Sequence, residues 1–153
     1  MKNINKDIAE KTERKLIEQN QEFNILRDRC LVVSAFSIAI VTAFFTFWSN
    51  IKAPYNHTLI ALIFITMIGV AILVYGAFSN PINRGMNVEK ISELIENEED
   101  YFLNEIAYNL DSFNDNIKPL QSIQYKLNLG LIINAVVICL GSLCIYLNQI
   151  THG

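Results

Sequence analysis

Three stretches of this chain run without a formal charge: residues 31–48 (LVVSAFSIAIVTAFFTFW) for 18 positions, 58–78 for 21 and 130–147 for 18. At about 1.5 Å of rise per residue each makes a helix of roughly 27 to 32 Å, the thickness of a hydrocarbon core. Hydrophobic residues are 52% of the chain and mean hydropathy is +0.28, yet 18% of residues are charged, so charge and grease are segregated into blocks. A cleaved signal peptide is the competing reading of the first block, but a long polar arm, residues 1–30, precedes it where a short basic region would stand. Three transmembrane helices are expected.

Orientation follows from Lys and Arg. The arm carries seven (Lys2, Lys6, Lys11, Arg14, Lys15, Arg27, Arg29), the first connection only Lys52, the second Arg84, Lys90, Lys118 and Lys126, and the tail none. Eleven of the 12 share a side if the N-terminus is cytoplasmic and the C-terminus outside. Trp48, Tyr55 and Tyr146 then mark the outer interface, and Tyr75 and Tyr125 the inner one. The expected order is a cytoplasmic N-terminal helix (1–30), a first span (31–48), an outer loop (49–57), a second span (58–78), an acidic cytoplasmic insert (79–129), a third span (130–147) and an outer tail (148–153). Cys30, Cys139 and Cys144 form no disulfide framework or metal spacing. Asn56-His57-Thr58 matches a glycosylation sequon, of consequence only in a eukaryotic secretory route.

In the arm, Ile8, Thr12, Leu16, Gln19, Phe23, Leu26 and Cys30 recur at steps of four and three, the seam of a helix that packs on another. No Pro or Gly occurs before residue 54, so the arm should run unbroken into the first span. In the insert, SNPINRGMN is a turn and Asn87 a candidate N-cap, followed by Glu89 and Glu93 where a helix N-terminus favours acids. Ile91, Leu94, Ile95, Tyr101, Phe102, Ile106, Leu110 and Phe113 then form one apolar stripe opposite Glu96, Glu99 and Asp111. NDNIKP, residues 114–119, clusters turn formers before a Pro suited to a first helical turn, so a break is expected there, with a new helix from Pro119 into the third span.

The apolar stripe must be buried. Residues 87–126 hold nine acids against three bases, a balance that an anionic leaflet repels, so the stripe should face protein. The arm, with seven bases and six acids, is the natural mate. The expected fold is therefore all-α: three transmembrane helices with a cytoplasmic helical bundle formed by the N-terminal arm and the 87–129 insert. Its packing residues would be Leu16, Phe23, Leu26, Ile95, Phe102, Ile106 and Phe113.

Several chemistries find no residues. The six glycines leave only Gly85 in the cytoplasmic connection, too few for a phosphate cradle. His57 and His152 both fall on the outer side, so no His-based general base or metal cluster faces the cytosol, and neither enzymatic activity nor a cofactor is expected. No span contains Asp, Glu, Lys, Arg or His, which removes proton relays, ion-coupled transport and voltage sensing. What the spans do carry is small residues: Ala35, Ala39 and Ala43 with Thr42 and Thr46 on the first, Gly69 and Gly76 on the second, Asn134 and Gly141 on the third. These permit close helix approach, either among the three spans or between copies of the chain, where a buried Asn can set register. Arg27, Arg29 and Arg84 should meet at the inner membrane surface; boundary arginines enforce topology, and they are also candidate contacts for a lipid head group or another anion.

A polar helix entering the first span at RDRCLVVSAF, a short outer loop, a second span and acidic helices thereafter resemble the small helical membrane effectors of bacterial anti-phage and conflict systems, for example the SLATT group. The third span, GLIINAVVICLGSLCIYL, departs from a plain two-span pattern. The resemblance is of architecture and transfers no individual residue. It implies an inner-membrane protein that contacts lipid and homo-oligomerises into a pore or membrane-perturbing assembly when its cytoplasmic helices receive a signal or protein partner. The alternative is a membrane-anchored adaptor recruiting a basic cytosolic protein through Glu96, Glu99 and Asp111, and a third reading is an immunity or accessory subunit of a larger membrane complex. No nucleic-acid partner is expected.

Overall fold

The computed structural model describes residues 2–78, 82 and 98–152, with side chains for 4–78, 82 and 100–152. The expected turn at 80–85, the Asn87 cap, and Glu89, Ile91, Glu93, Leu94, Ile95, Glu96 and Arg84 lie outside the described residues, as does the side chain of Glu99. Among the described residues the chain is all helical: α1 (Lys2–Trp48), α2 (Tyr55–Phe78) and α3 (Glu98–His152). All three are long and apolar enough to cross a membrane.

α1 runs unbroken for 47 residues, as the lack of Pro and Gly predicts. It ends in a tight turn in which the amides of Asn50 and Ile51 donate to the carbonyls of Phe47 and Trp48 at 3.0 and 3.2 Å. α2 begins at Tyr55, immediately after Pro54 and three residues before the uncharged block, so the connection is shorter than the expected loop.

α3 corrects the expectation of a break. It is one 55-residue helix with Pro119 inside it, and it continues to His152 through the expected tail. Pro119 removes one donor, the one that would meet the Asp115 carbonyl, and an interior proline costs about 3 kcal/mol. Asn116 and Ile123, on either side, are 1% and 0% exposed. Burial on both flanks of the proline offsets the lost bond, and turn propensity gives way to packing.

Two compact units form along the chain, Met1–Ile25 with Asn80–Ser122 and Leu26–Ser79 with Ile123–Gly153. The second contains the apolar spans. Its core joins Ile40 and Phe44 of α1, Ile51 of the connection, Leu59, Leu62 and Ile63 of α2, and Val137 of α3. The connection is tied down by the Lys52 amide, which donates to Oδ1 of Asn148 at 3.0 Å. Only 28%, 39% and 22% of the three hydropathic windows are buried within the protein, leaving Phe36, Phe45, Phe64, Ile68 and Leu143 facing outward. Apolar surface on this scale belongs in lipid rather than in water.

In the first unit α1 buries Ala9, Leu16, Gln19 and Phe23, and α3 buries Asn109, Ser112 and Asn116. From Leu16 through Gln19, Phe23, Leu26 and Cys30 the α1 seam is the expected one, but at its start Ala9 is buried while Ile8, placed in the seam, is 41% exposed and Thr12 only partly buried. The α3 face differs from expectation: Leu110 is 47% exposed, and Phe102, Ile106 and Phe113 are only partly buried. The continuity of α3 explains the difference. Buried positions recur at 109, 112, 116, 123, 127, 130, 134, 137, 141 and 144, almost all at steps of three and four. A helix broken at residues 114–119 would be free to turn its apolar stripe inward. The unbroken helix instead buries Asn109, Ser112 and Asn116 within the first unit.

Candidate functional site

The small and polar span residues divide into two sets, one used inside the second unit and one turned outward. Inside, Asn134 of α3 is 4% exposed and Ser37 of α1 is 1% exposed. The Asn134 amide donates from Nδ2 to the Ser37 hydroxyl at 2.8 Å, and that hydroxyl lies 2.9 Å from Asn134 Oδ1 and 2.8 Å from the Val33 carbonyl. Asn134 therefore finds its partner within its own chain, buried away from the surface another copy would meet. Ser34 and Thr66, also buried, donate to the carbonyls of Cys30 and Leu62 four residues back in their own helices.

Glycine brings the helices together around this node. A methyl at Gly69 would lie 3.3 Å from Ile133, and at Gly130 2.7 Å from Leu73, while at Gly141 it would overlap the Phe44 ring. At Gly76 an added methyl would lie 3.0 Å from the Lys126 stem, so the missing side chain makes room for it. The Lys126 ammonium then sits 4.6 Å from the centroid of the Tyr75 ring, the geometry of a cation over an aromatic face. Gly69, Gly76, Asn134 and Gly141 thus pack the three helices on one another.

Ala35, Ala39 and Ala43 do not. All three are exposed, with Thr42 and Thr46 beside them. The threonine hydroxyls donate to the carbonyls of Ile38 and Thr42 at 2.9 and 3.0 Å, so this face presents small side chains with satisfied polar groups.

Of the boundary arginines, Arg27 lies over the Phe78 ring at 5.8 Å and Arg29 is exposed. An aromatic partner for Arg27 favours its anchoring role. Asp111, the described member of the candidate partner face, is exposed, together with Asp100 and Asp115.

The first unit holds features that sequence reasoning missed. A groove of about 460 Å³ is lined by Ile8, Lys11, Arg14 and Lys15 of α1 and by Asn109 and Phe113 of α3, among others. A second groove of about 300 Å³ shares Lys15 and Phe113 with it and reaches Gln19. Gln19 donates from Nε2 to the Phe113 carbonyl at 3.0 Å, but its Oε1 is buried without a partner, as is the Ser112 hydroxyl. The available signal was the spacing of Lys11, Arg14 and Lys15, which puts three cations on one helix face. Among the described residues, no group of three His, Cys, Asp or Glu side chains comes together to hold a metal.

Among the described residues of this unit, Glu105 is the one carboxylate clearly shifted. Burial, reinforced by the negative charge of Glu13, holds it above the ordinary carboxylate range, against the opposing hydrogen bond from Tyr101. Burial and the same two carboxylates push the Tyr101 hydroxyl up. A carboxyl raised in the folded state contributes stability that is complete below its unfolded value, about 4.5, and is lost as pH rises through the folded value. Glu105→Gln is therefore expected to raise the melting temperature by a few degrees at pH 7.5, and the gain should vanish on acidification to pH 4.5. Thermal melts at the two pH values check this, and a gain independent of pH would contradict it.

No family model, curated protein or solved structure matches this chain.

Proposed function

We propose that this chain is a non-enzymatic, homo-oligomeric membrane effector or pore subunit of the bacterial inner membrane. Its N-terminus and first unit would lie in the cytoplasm and its C-terminus outside, as the distribution of Lys and Arg favours. The single observation that carries the reading is the outward face of Ala35, Ala39 and Ala43. The buried glycines and Asn134 already serve packing within one chain, whereas this alanine face serves none. In lipid, where no hydrophobic force drives helices together, small residues let backbones approach closely enough for dispersion to do so. One copy has too few helices and too little polarity to enclose water, so membrane perturbation requires several. A signal or protein partner received by the first unit would control that association. Defence against phage is the role the architectural resemblance implies.

Expression in bacterial cells loaded with a potential-sensitive dye tests the reading. The wild type is expected to depolarise the membrane and arrest growth, while Ala39→Phe, which fills the outward face without touching the core, should abolish both and reduce cross-linked oligomers to monomer. Unchanged potential with the wild type even when phage infection supplies its trigger, or an Ala39→Phe protein as active and as oligomeric as the wild type, would count against it. The adaptor reading keeps its partner surface of Glu96, Glu99 and Asp111, of which Asp111 is described and exposed. It predicts an unchanged membrane potential, so the same dye separates the two.

A further inference from the structure

The groove of about 460 Å³ in the first unit combines three features that point to a small ligand. First, its rim is cationic. Lys11, Arg14 and Lys15 project from one face of α1, with Glu18 the only acid among the described lining residues. All three cations are exposed, and none makes an ion pair with another described residue. Second, its floor is apolar, formed by Ile8, Leu110 and Phe113, so the groove can cover an organic body as well as attract a charge. Third, the Asn109 amide, on a residue 4% exposed, lines the groove without a hydrogen bond to any described residue.

The third feature carries most weight. On an otherwise buried residue, the Asn109 amide is left open to the groove, so a bound molecule can take its hydrogen bonds without displacing a protein partner. The same short seam also leaves Ser112 Oγ and Gln19 Oε1 buried and unpartnered. α3 turns Asn109, Ser112 and Asn116 toward α1 where an apolar stripe was available one step round the helix. The Asn109 amide facing three unpaired cations across the groove is a binding arrangement: the cations draw the anion, and the amide offers a donor and an acceptor to its body. The volume falls within the usual range of small-molecule sites, roughly 300–1,000 Å³.

We infer that this groove binds a small organic phosphate: Arg14, Lys11 and Lys15 on the phosphate, Asn109 hydrogen-bonded to the body, and Phe113 with Ile8 against its apolar face. Arg14 supplies the planar fork suited to two phosphate oxygens, and the lysines add point charges. The site does not depend on the spans assembling, and it stands or falls separately from the proposed pore. The phosphate can come from a soluble metabolite or from the head group of an anionic phospholipid, and the chemistry at the rim is the same.

Phenyl phosphate, a dianion on an aromatic ring, is the probe. Its binding to the full chain in nanodiscs of zwitterionic lipid would be measured by calorimetry, beside inorganic phosphate and phenol. Phenyl phosphate should bind at least tenfold more tightly than either, because only it engages both rim and floor. Arg14→Gln and Asn109→Leu should each weaken it tenfold or more. Lys6→Gln, a cation outside the groove, should leave it unchanged, and a matching helical spectrum and melting temperature keep a folding defect distinct from a lost site. Nanodiscs containing phosphatidic acid form the second arm. Displacement of phenyl phosphate by that lipid assigns the site to a head group, and undiminished binding assigns it to a soluble phosphate. Absence of phenyl phosphate binding at millimolar concentration, or equal affinity in Arg14→Gln, Asn109→Leu and wild type, would overturn the inference.

Discussion

Gly141→Ala is expected to destabilise the protein by about 1–3 kcal/mol, the usual cost of forcing extra volume into a filled core. The added methyl would overlap the Phe44 ring. That ring cannot retreat: Phe44 is 7% exposed and belongs to the cluster formed with Ile40, Leu59, Leu62, Ile63 and Val137. In a helix, alanine is otherwise the better residue by about 1 kcal/mol, so the substitution would stabilise wherever space allowed. Gly69→Ala provides that contrast. Its methyl would meet Ile133 at 3.3 Å, a contact relieved by a small movement of one partly buried side chain, and the net effect should lie near zero. Phe44→Leu in the Gly141→Ala background should recover part of the loss, giving a coupling energy of roughly 0.5–3 kcal/mol in a double-mutant cycle. Reversible unfolding in mixed micelles checks the set. An unaltered Gly141→Ala protein, or a double variant whose losses simply add, would contradict the packing described.

This contrast shows where reading the chain alone succeeds. The spans were legible because hydropathy sums over 18 residues or more, and no local competition reverses so large a total. The continuity of α1 was legible from the absence of Pro and Gly. The seam at Leu16, Gln19 and Phe23 was legible from its three and four spacing, since a helix needs only a consistent phase to pack.

The α3 phase was not legible, for a physical reason. NDNIKP reads locally as a break, and a break would uncouple the apolar stripe of Phe102, Ile106 and Phe113 from the spans. The helix runs on through Pro119 instead, and within the first unit its buried positions keep three and four spacing. The consequence is a seam of Asn109, Ser112 and Asn116 that local amphipathicity would never select. The groove was hidden in the same way, because Lys11 and Asn109 meet only once that phase is set. The small residues were legible as a class but not by role. Spacing alone gives Ala39 and Gly69 the same meaning, whereas Gly69 is buried against Ile133 and Ala39 faces outward. Which side of a helix is inside depends on the partner helices, and a single chain's spacing does not contain them.

The central claim is that the helices cross a bilayer three times, so that residues near 6 and near 104 share one side while residues near 52 and near 149 share the other. Lys6, Lys52, Asn104 and Gln149 are all exposed, which makes each a reporter position. In a background with Cys30, Cys139 and Cys144 replaced by alanine, single cysteines at these positions would be treated in spheroplasts with a membrane-impermeant maleimide. The account predicts an all-or-none pattern: Lys52→Cys and Gln149→Cys labelled in intact spheroplasts, Lys6→Cys and Asn104→Cys labelled only after lysis. Labelling of Asn104→Cys together with Lys52→Cys, or recovery of the protein in the soluble fraction without detergent, would contradict it.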